Sequence, residues 1–317
     1  MITLEAVYWL MGLLAAGVAI VNLRDPANPR RYGTAAFWGL YAVTFVAGSR
    51  LPSVVTGCIV LAMVLVASIG ELGQGAGESE TRADREASAA RWGNRLFIPA
   101  LTIPAVTLLG TFVLKGAQVG GVPLVDPKQV TLISLGIATV VALVVGMMML
   151  RPPALAPLFE ARRLWDSVGW AAVLPQMLAA LGALFAAAGV GKVIASLAGQ
   201  WLPLGSPLAA VITYTLGMAL FTMIMGNAFA AFPVMTAGIG LPLIVGRFGG
   251  SPTIMAALGM LSGFCGTLMT PMAANFNIVP AALLELDEYA VIRVQIPTAL
   301  ALLVANTVIM ALFVYRH

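Results

Sequence analysis

Two interrupted apolar segments in the second half of the chain contain the residues most able to do chemistry. The first break is the run GNAFAAFP, Gly226–Pro233, and the second is the run TPMAANFNIVP, Thr270–Pro280. Only one charged residue, Arg247, lies between Ser206 and Leu284. Asparagine amides both donate and accept hydrogen bonds, and proline removes a backbone donor and stops a helix from re-forming. Such residues in a charge-poor apolar stretch predict binding of a solute or an ion.

The physical reason lies in the backbone. Lipid cannot satisfy free N–H and C=O groups, so unwound backbone is tolerated only inside protein or beside a water-filled cavity. Transporters place such breaks near the bilayer midplane, where half-helix N-termini favour anions and exposed carbonyls favour Na⁺. The predicted substrate-binding residues are Asn227, Thr270, Asn275 and Asn277, and the predicted breaks lie at Pro233, Pro271 and Pro280. The alternative is a packing role, because Gly, Pro and Asn also occur in ordinary membrane helices.

Composition indicates the elements that must position these residues. Apolar residues make up 60% of the chain and charged residues 9%, with a mean hydropathy of +0.97. A soluble domain carries roughly 25% charged residues. Since about 20 apolar residues span a bilayer, we expect an all-α polytopic membrane protein with about 8–10 transmembrane helices. The basic residues are spread over short loops, which does not favour nucleic-acid binding.

The chain is predicted to have two parts. Residues 1–166 are expected to form one set of helices with a polar loop at 71–95, and residues 167–317 a second set that contains both interrupted runs. Within the second part, residues 206–246 either turn back in the membrane or cross it twice, and residues 253–284 are longer than one straight span. The polar loop is interpreted as a solvated segment with a short surface helix, or else as a docking surface for a partner.

The basic residues predict the orientation of the first five helices. With the N-terminus outside, ten of them fall on the cytoplasmic side and three outside, as the positive-inside rule requires. The inside group is Arg24, Arg30, Arg31, Arg82, Arg85, Arg91, Arg95, Arg151, Arg162 and Arg163; the outside group is Arg50, Lys115 and Lys128. The first apolar stretch has no basic segment before it, so we expect a retained helix rather than a signal peptide.

Several kinds of chemistry are disfavoured. The only histidine is His317, and Cys58 and Cys265 lie far apart inside apolar stretches, so no metal or cofactor is expected. An intramembrane enzyme would need a nucleophile with a base, or buried carboxylates, and the sequence offers neither. No carboxylate or histidine lies between Ser167 and Leu284, so coupling to Na⁺ is favoured over coupling to H⁺.

The two runs also carry a family resemblance. The sequence resembles bacterial inner-membrane proteins classed as a domain of unknown function, the 979 family. That family is described as one subunit of a 5-oxoproline transporter and is grouped with the ion-transporter superfamily. The resemblance covers the whole chain, and its clearest stretches are Gly226–Pro233 and Thr270–Asn277.

The resemblance implies a mechanism. Members of the superfamily carry two inverted repeats, each with a re-entrant hairpin and a broken helix that meet at the substrate. Dicarboxylate carriers of the superfamily bind sodium and carboxylate through Ser-Asn-Thr motifs, and this sequence has Gly226-Asn227-Ala228 at the comparable place. The candidate ion-binding residues are Gly226, Ala228, Gly266 and Thr267.

By the resemblance, residues 1–166 form the scaffold and residues 167–317 one transport-type repeat, with a re-entrant hairpin at 206–246 and a broken helix at 253–284. The resemblance also implies partners, because this chain contains only one such pair. The second pair is expected from a smaller membrane subunit, and we expect a dimer of the whole assembly. The expected function is a subunit of a secondary active transporter for a small organic anion, 5-oxoproline, working by alternating access in the bacterial inner membrane. The alternative is a non-transporting membrane scaffold that docks a partner protein through residues 71–95.

Overall fold

The protein is described by a computed structural model that covers residues 1–70, 72–73, 75, 82–201, 205–284, 286–287 and 289–316. The chain forms two compact units, Met1–Asp166 and Ser167–His317. Part of the predicted polar loop, namely residues 71, 74 and 76–81, lies outside the described residues. The rest of that loop includes a helix at Arg82–Trp92.

The first unit is helical apart from one small hairpin. Its helices are α1 Leu4–Leu23, α2 Arg31–Ala47, α3 Ser53–Ser68, α4 Arg82–Trp92, α5 Phe97–Leu114, α6 Val130–Leu150 and α7 Ala156–Val168, with a 3₁₀ turn at Gly93–Leu96. The two-residue antiparallel strands β1 Gln118–Val119 and β2 Val122–Pro123 join α5 to α6.

The second unit contains both predicted breaks. After a 3₁₀ turn at Gly169–Ala172 its helices are α8 Leu174–Ala187, α9 Val190–Trp201, α10 Pro207–Met225, α11 Ala228–Met235, α12 Pro252–Leu268, α13 Val279–Leu283 and α14 Ala290–Phe313. A π-helix, Thr236–Arg247, continues α11, and a π-helical turn, Ala274–Ile278, precedes α13.

Seven helical segments among the described residues are long and apolar enough to cross a membrane. They are Leu4–Leu23, Glu86–Leu114, Val130–Leu150, Ala156–Ala187, Pro207–Met225, Ala228–Arg247 and Tyr289–Phe313. Two shorter apolar helices are Ser53–Ser68 and Pro252–Leu268. These segments confirm an all-α polytopic membrane protein.

A buried polar cluster holds α1, α2 and α7 of the first unit together. Arg162 pairs with Asp25 at 2.8 Å, and their side chains are only 5% and 10% exposed. Beside them, Asp166 Oδ1 accepts from Asn22 Nδ2 at 3.1 Å and from Trp38 Nε1 at 2.8 Å. A buried charge must be paired to be tolerated, so this cluster fixes how the three helices meet.

Helices α10 and α11 of the second unit form an antiparallel hairpin. The Tyr214 and Thr236 hydroxyls are 3.0 Å apart, Gly240 faces the Tyr214 ring, and Gly217 faces the Met235 side chain. These contacts show that the two legs of the hairpin run in opposite directions. The tip of the hairpin is the pair of residues at 226–227, at the start of the first interrupted run.

Helix α12 runs parallel to α10 and approaches it closely through glycine. Gly259 faces Tyr214, Gly263 faces Met218, and Gly266 lies against the backbone of Ala219. A Cβ at Gly263 would lie 2.8 Å from the Met218 Cε. Small residues let membrane helices pack backbone to backbone, so this stripe brings the end of α12 to the tip of the hairpin.

Helix α14 packs antiparallel to α12, and its contacts show where along its length the second break lies. The Ser251 N–H donates to the Val314 carbonyl at 2.8 Å, and Asn306 Nδ2 lies 3.6 Å from the Cys265 sulfur. Further along, Gln295 Nε2 lies 3.5 Å from the Phe276 carbonyl. The break after α12 therefore lies beside the middle of α14 and not beside either end.

Candidate functional site

The tip of the hairpin is an unwound link between two capped helix ends. Gly226 has φ 74° and ends α10, and its N–H donates to the Thr222 carbonyl at 2.7 Å. Asn227 is extended, and its Oδ1 accepts from the Phe229 N–H at 2.8 Å. Glycine is favoured where φ is positive and asparagine is a strong N-cap. Because the Asn227 oxygen is occupied by the cap, its NH₂ group is the part left for a ligand.

At the second break, between α12 and the π-helical turn, two side chains form hydrogen bonds with the backbone. Thr270 Oγ1 donates to the Met223 carbonyl at 2.9 Å and accepts from the Met272 N–H at 3.3 Å. Asn277 is fully buried, and its Nδ2 donates to the carbonyls of Thr267 at 2.9 Å and Thr270 at 2.6 Å. These bonds satisfy carbonyls that the broken helices would otherwise leave free.

The two breaks are in direct contact. A Cβ added at Gly226 would lie 2.6 Å from the Met272 Cβ and 2.9 Å from the Met272 carbonyl oxygen. Any side chain at position 226 would therefore push the breaks apart. The Thr270–Met223 hydrogen bond joins the same two segments, so the hairpin tip and the broken helix form one site.

A small cavity of about 120 Å³ lies where the breaks meet α8. Its described lining has no ionisable side chain and consists of Leu174, Pro175, Leu178, Ala179, Gly226, Asn227, Phe229, Phe264, Thr267, Ala273 and Phe276. Phe264 is the central ring, with centroids 5.8 Å from Phe229 and 6.1 Å from Phe276. The cavity therefore combines an aromatic wall with one polar edge at Asn227 and Thr267.

The helix ends around the cavity differ in the hydrogen bonding of their terminal backbone groups. At the negative ends of α10 and α12, the carbonyls of Thr222, Met223 and Thr267 each accept a hydrogen bond from within the chain. At the positive end of α11, Asn227 caps the Phe229 N–H, and helix geometry gives the other first-turn N–H groups no intrahelical acceptor. The positive dipole end of α11 favours an anion.

Comparison with known proteins places the chain in a family. The sequence model of that family, described as Protein of unknown function (DUF979), matches residues 5–315. The chain belongs to the DUF979 family. This confirms the 979 family predicted from the two runs. The comparisons with curated proteins and with solved structures gave no match.

Three of the predicted site residues line the cavity of this DUF979 protein. They are Asn227, Gly226 and Thr267. The Thr267 hydroxyl donates to the Phe264 carbonyl of its own helix at 2.6 Å. Asn227 is thus the lining residue with a polar group that is free to turn to a ligand.

Four other predicted residues, which are named below, do not line the cavity. Thr270 and Asn277 bond to backbone and support the breaks. Ala228 is buried at the start of α11, and Gly266 is in contact with α10, so neither lines the cavity. The side chain of Asn275 lies outside the described part of the chain.

The three predicted proline breaks differ in position. Pro271 lies in the unwound segment after α12. Pro280 lies in the first turn of α13, where a missing N–H costs little. The prediction for Pro233 was wrong, because α11 continues through it from Ala228 to Met235. Gly226 and Asn227 make the break instead, since a left-handed C-cap followed by an N-cap interrupts a helix without proline.

Sequence reasoning missed the aromatic wall and the contribution of α8. Phe229 and Phe276 lie within the two runs, so their closeness to Asn227 and Asn277 was an available signal. Phe264 and Pro175 offered no such signal, because an apolar residue facing a cavity looks the same in sequence as one facing lipid.

Proposed function

We propose that this DUF979 protein is a subunit of a secondary active transporter for a small organic anion, with 5-oxoproline as the first substrate to test. The observation that carries the proposal is the cavity at the two breaks. There the N-terminus of α11 and the Asn227 amide face three phenylalanine rings. Alternating access would move the hairpin and the broken helix relative to a scaffold.

The depth of the breaks supports transport. Helix α14 has 24 residues, and at 1.5 Å per residue it is about 36 Å long, more than the roughly 30 Å of the hydrocarbon core. The break after α12 lies between the levels of Gln295 and Asn306 on α14. Unwound backbone at such a depth is tolerated beside protein or a water-filled cavity. A re-entrant hairpin is the interpretation that this depth favours.

The cavity suits a small, flat carboxylate. The lactam ring of 5-oxoproline would pack on Phe264 and its neighbours, and its ring carbonyl would accept from the Asn227 NH₂ group. Its carboxylate would lie toward the positive end of α11, whose dipole attracts an anion. No described lining residue is a cation, so the dipole and the amides supply the attraction.

Sodium is the coupling ion that we propose. Two buried oxygen atoms near the breaks, Thr222 Oγ1 and Asn277 Oδ1, have no hydrogen-bond partner among the described residues. Unwound backbone and half-helix ends coordinate Na⁺ in transporters of this kind. Between Ser167 and Leu284 no carboxylate is available to carry a proton through the membrane.

A second, smaller subunit in the bacterial inner membrane would complete the site. Phe229 is 58% exposed and Phe276 is 38% exposed, although both line the cavity. These rings flank unwound backbone, which lipid cannot satisfy. A partner with its own pair of breaks would cover this open side.

Uptake of labelled 5-oxoproline by membrane vesicles tests the proposal, with and without the second subunit and with and without a sodium gradient. We expect sodium-dependent uptake that Asn227→Asp abolishes. Aspartate caps a helix as well as asparagine does, so the fold should survive while the new negative charge repels the substrate.

The matched control is Asn306→Asp, because Asn306 lies on α14 and does not line the cavity. Uptake by the Asn227→Asp variant at the wild-type rate would contradict the proposed site. Normal assembly with the partner but no uptake of any small carboxylate would favour the scaffold function.

A further inference from the structure

An apolar groove in the first unit lies between α1, α6 and the start of α7. Its volume is about 510 Å³, and its lining is wholly apolar. The residues that shape it include Leu14, Val144, Met147, Met148, Pro157 and Leu158. Leu158 also packs against Gly17 of α1, where a Cβ would lie 2.9 Å from the Leu158 Cδ1. The groove is therefore a defined gap between packed helices.

The position of the groove identifies the class of its occupant. Val144 and Met148 are 50% and 72% exposed on α6, which is one of the candidate membrane spans. Met147 and Met148 lie in the last turn of α6, which ends at Leu150. The groove thus opens at the end of a span, where lipid acyl chains meet their headgroups. Methionine side chains adapt to irregular apolar partners such as these chains.

A cationic residue lies directly after the groove. Arg151 is exposed and follows the last residue of α6, and its N–H donates to the carbonyl of the groove residue Met147 at 2.9 Å. Its φ of 51° makes it the one non-glycine residue with positive φ in the described ranges. Glycine is the usual residue at this helix-ending position, so the sequence keeps a guanidinium where the backbone favours glycine.

We propose that the groove binds an acyl chain of an anionic phospholipid whose phosphate is held by Arg151. A guanidinium forms paired hydrogen bonds with phosphate oxygens, and basic residues beside membrane helices select anionic headgroups. The site belongs to the first unit alone and does not depend on the proposed transport activity.

Native mass spectrometry of the full-length protein tests this, with phosphatidylglycerol and phosphatidylcholine added at equal concentrations. One favourable cation near the surface predicts roughly fivefold tighter binding of phosphatidylglycerol. Arg151→Gly should lower that affinity to the phosphatidylcholine level, and the variant should fold because glycine suits a positive φ. Arg24→Ala removes another exposed arginine, at the end of α1, and should leave the preference unchanged.

A separate variant tests the contact between the groove and the acyl chain. Met148→Trp fills the groove from an exposed position and should weaken binding of both lipids without harming the fold. Equal binding of the two lipids by the wild type would overturn the proposal. So would a preference for phosphatidylglycerol that survives Arg151→Gly, or lipid binding that is unchanged by Met148→Trp.

Discussion

The Thr270 hydroxyl donates a hydrogen bond to the Met223 carbonyl at 2.9 Å, which links the broken helix to the last turn of the first hairpin leg. These residues are 47 positions apart in the sequence. The bond satisfies a helix-end carbonyl and holds the second break against the first. The bond therefore helps to hold the two sides of the cavity together.

Thr270→Val removes this bond while keeping the shape of the side chain. We expect the free energy of unfolding to fall by about 1–2 kcal/mol, because the partly buried Met223 carbonyl loses its donor. Thermal unfolding of the purified protein in detergent measures the change. Thr270→Ser retains the hydroxyl and should restore most of the stability, whereas a serine variant as unstable as the valine variant would show that the bond is unimportant.

Gly226→Ala should separate the two breaks. The substitution places a Cβ against the Met272 backbone and also forces a left-handed φ on alanine, which costs about 1–2 kcal/mol by itself. Gly189→Ala is the matched control, because Gly189 has φ 73° and nothing within 4 Å of its Cβ position.

We expect both glycine variants to lose stability, with Gly226→Ala losing a further 1–3 kcal/mol or so from overpacking. Uptake should fall at least tenfold for Gly226→Ala and stay near wild type for Gly189→Ala. Equal effects of the two substitutions on stability and uptake would mean that contact between the breaks has no role.

Asn277→Leu tests the buried amide that closes the second break. The change leaves the carbonyls of Thr267 and Thr270 without their donor, at a cost of about 2–4 kcal/mol. Asn306→Leu is the control, because its amide makes a longer contact, 3.6 Å, with the Cys265 sulfur. We expect that control to stay within about 1 kcal/mol of wild type in chemical denaturation. An Asn277→Leu variant of wild-type stability would contradict this account of the break.

Much of this architecture is readable from composition and from the two runs. The single charged residue, Arg247, between Ser206 and Leu284 predicts membrane helices, and Gly226-Asn227 predicts the first interruption, because few other pairs end one helix and cap the next. The mistaken role of Pro233 has a physical cause. A proline in the second turn of a membrane helix can be accommodated by neighbouring structure, and here the helix passes into a π-helix from Thr236.

The partners of the polar residues could not be predicted, because they depend on tertiary contacts. Asn227 and Asn277 look equivalent in the sequence, yet one lines the cavity and the other is fully buried with two backbone carbonyls. The cluster of Asp25, Arg162 and Asp166 was also missed. Its members were assigned to loops, and only the fold brings α1 and α7 together.

A double-mutant cycle on Asp25 and Arg162 measures what the buried ion pair contributes to the first unit. Asp25→Asn keeps an oxygen for the Ala27 N–H, which Asp25 Oδ1 now caps at 3.0 Å. Either Asp25→Asn or Arg162→Met alone should cost about 3–5 kcal/mol, because each leaves a buried charge unpaired.

The double variant should be more stable than the sum of the single losses predicts, since neither Asp25 nor Arg162 then remains without its own charge partner. Denaturant titration of the purified protein provides the four free energies. Strict additivity of the two single losses would show that the residues act separately, despite their 2.8 Å contact.

Substitutions in the glycine stripe of α12 would change the structure at some distance from the stripe. Gly266 lies directly against the Ala219 backbone of α10, so no rotamer change in α10 can absorb a methyl group added at this position. Enlarging Gly266 would act as a wedge that tilts α12 away from α10. The width of the cavity is therefore set partly by a residue that does not line it.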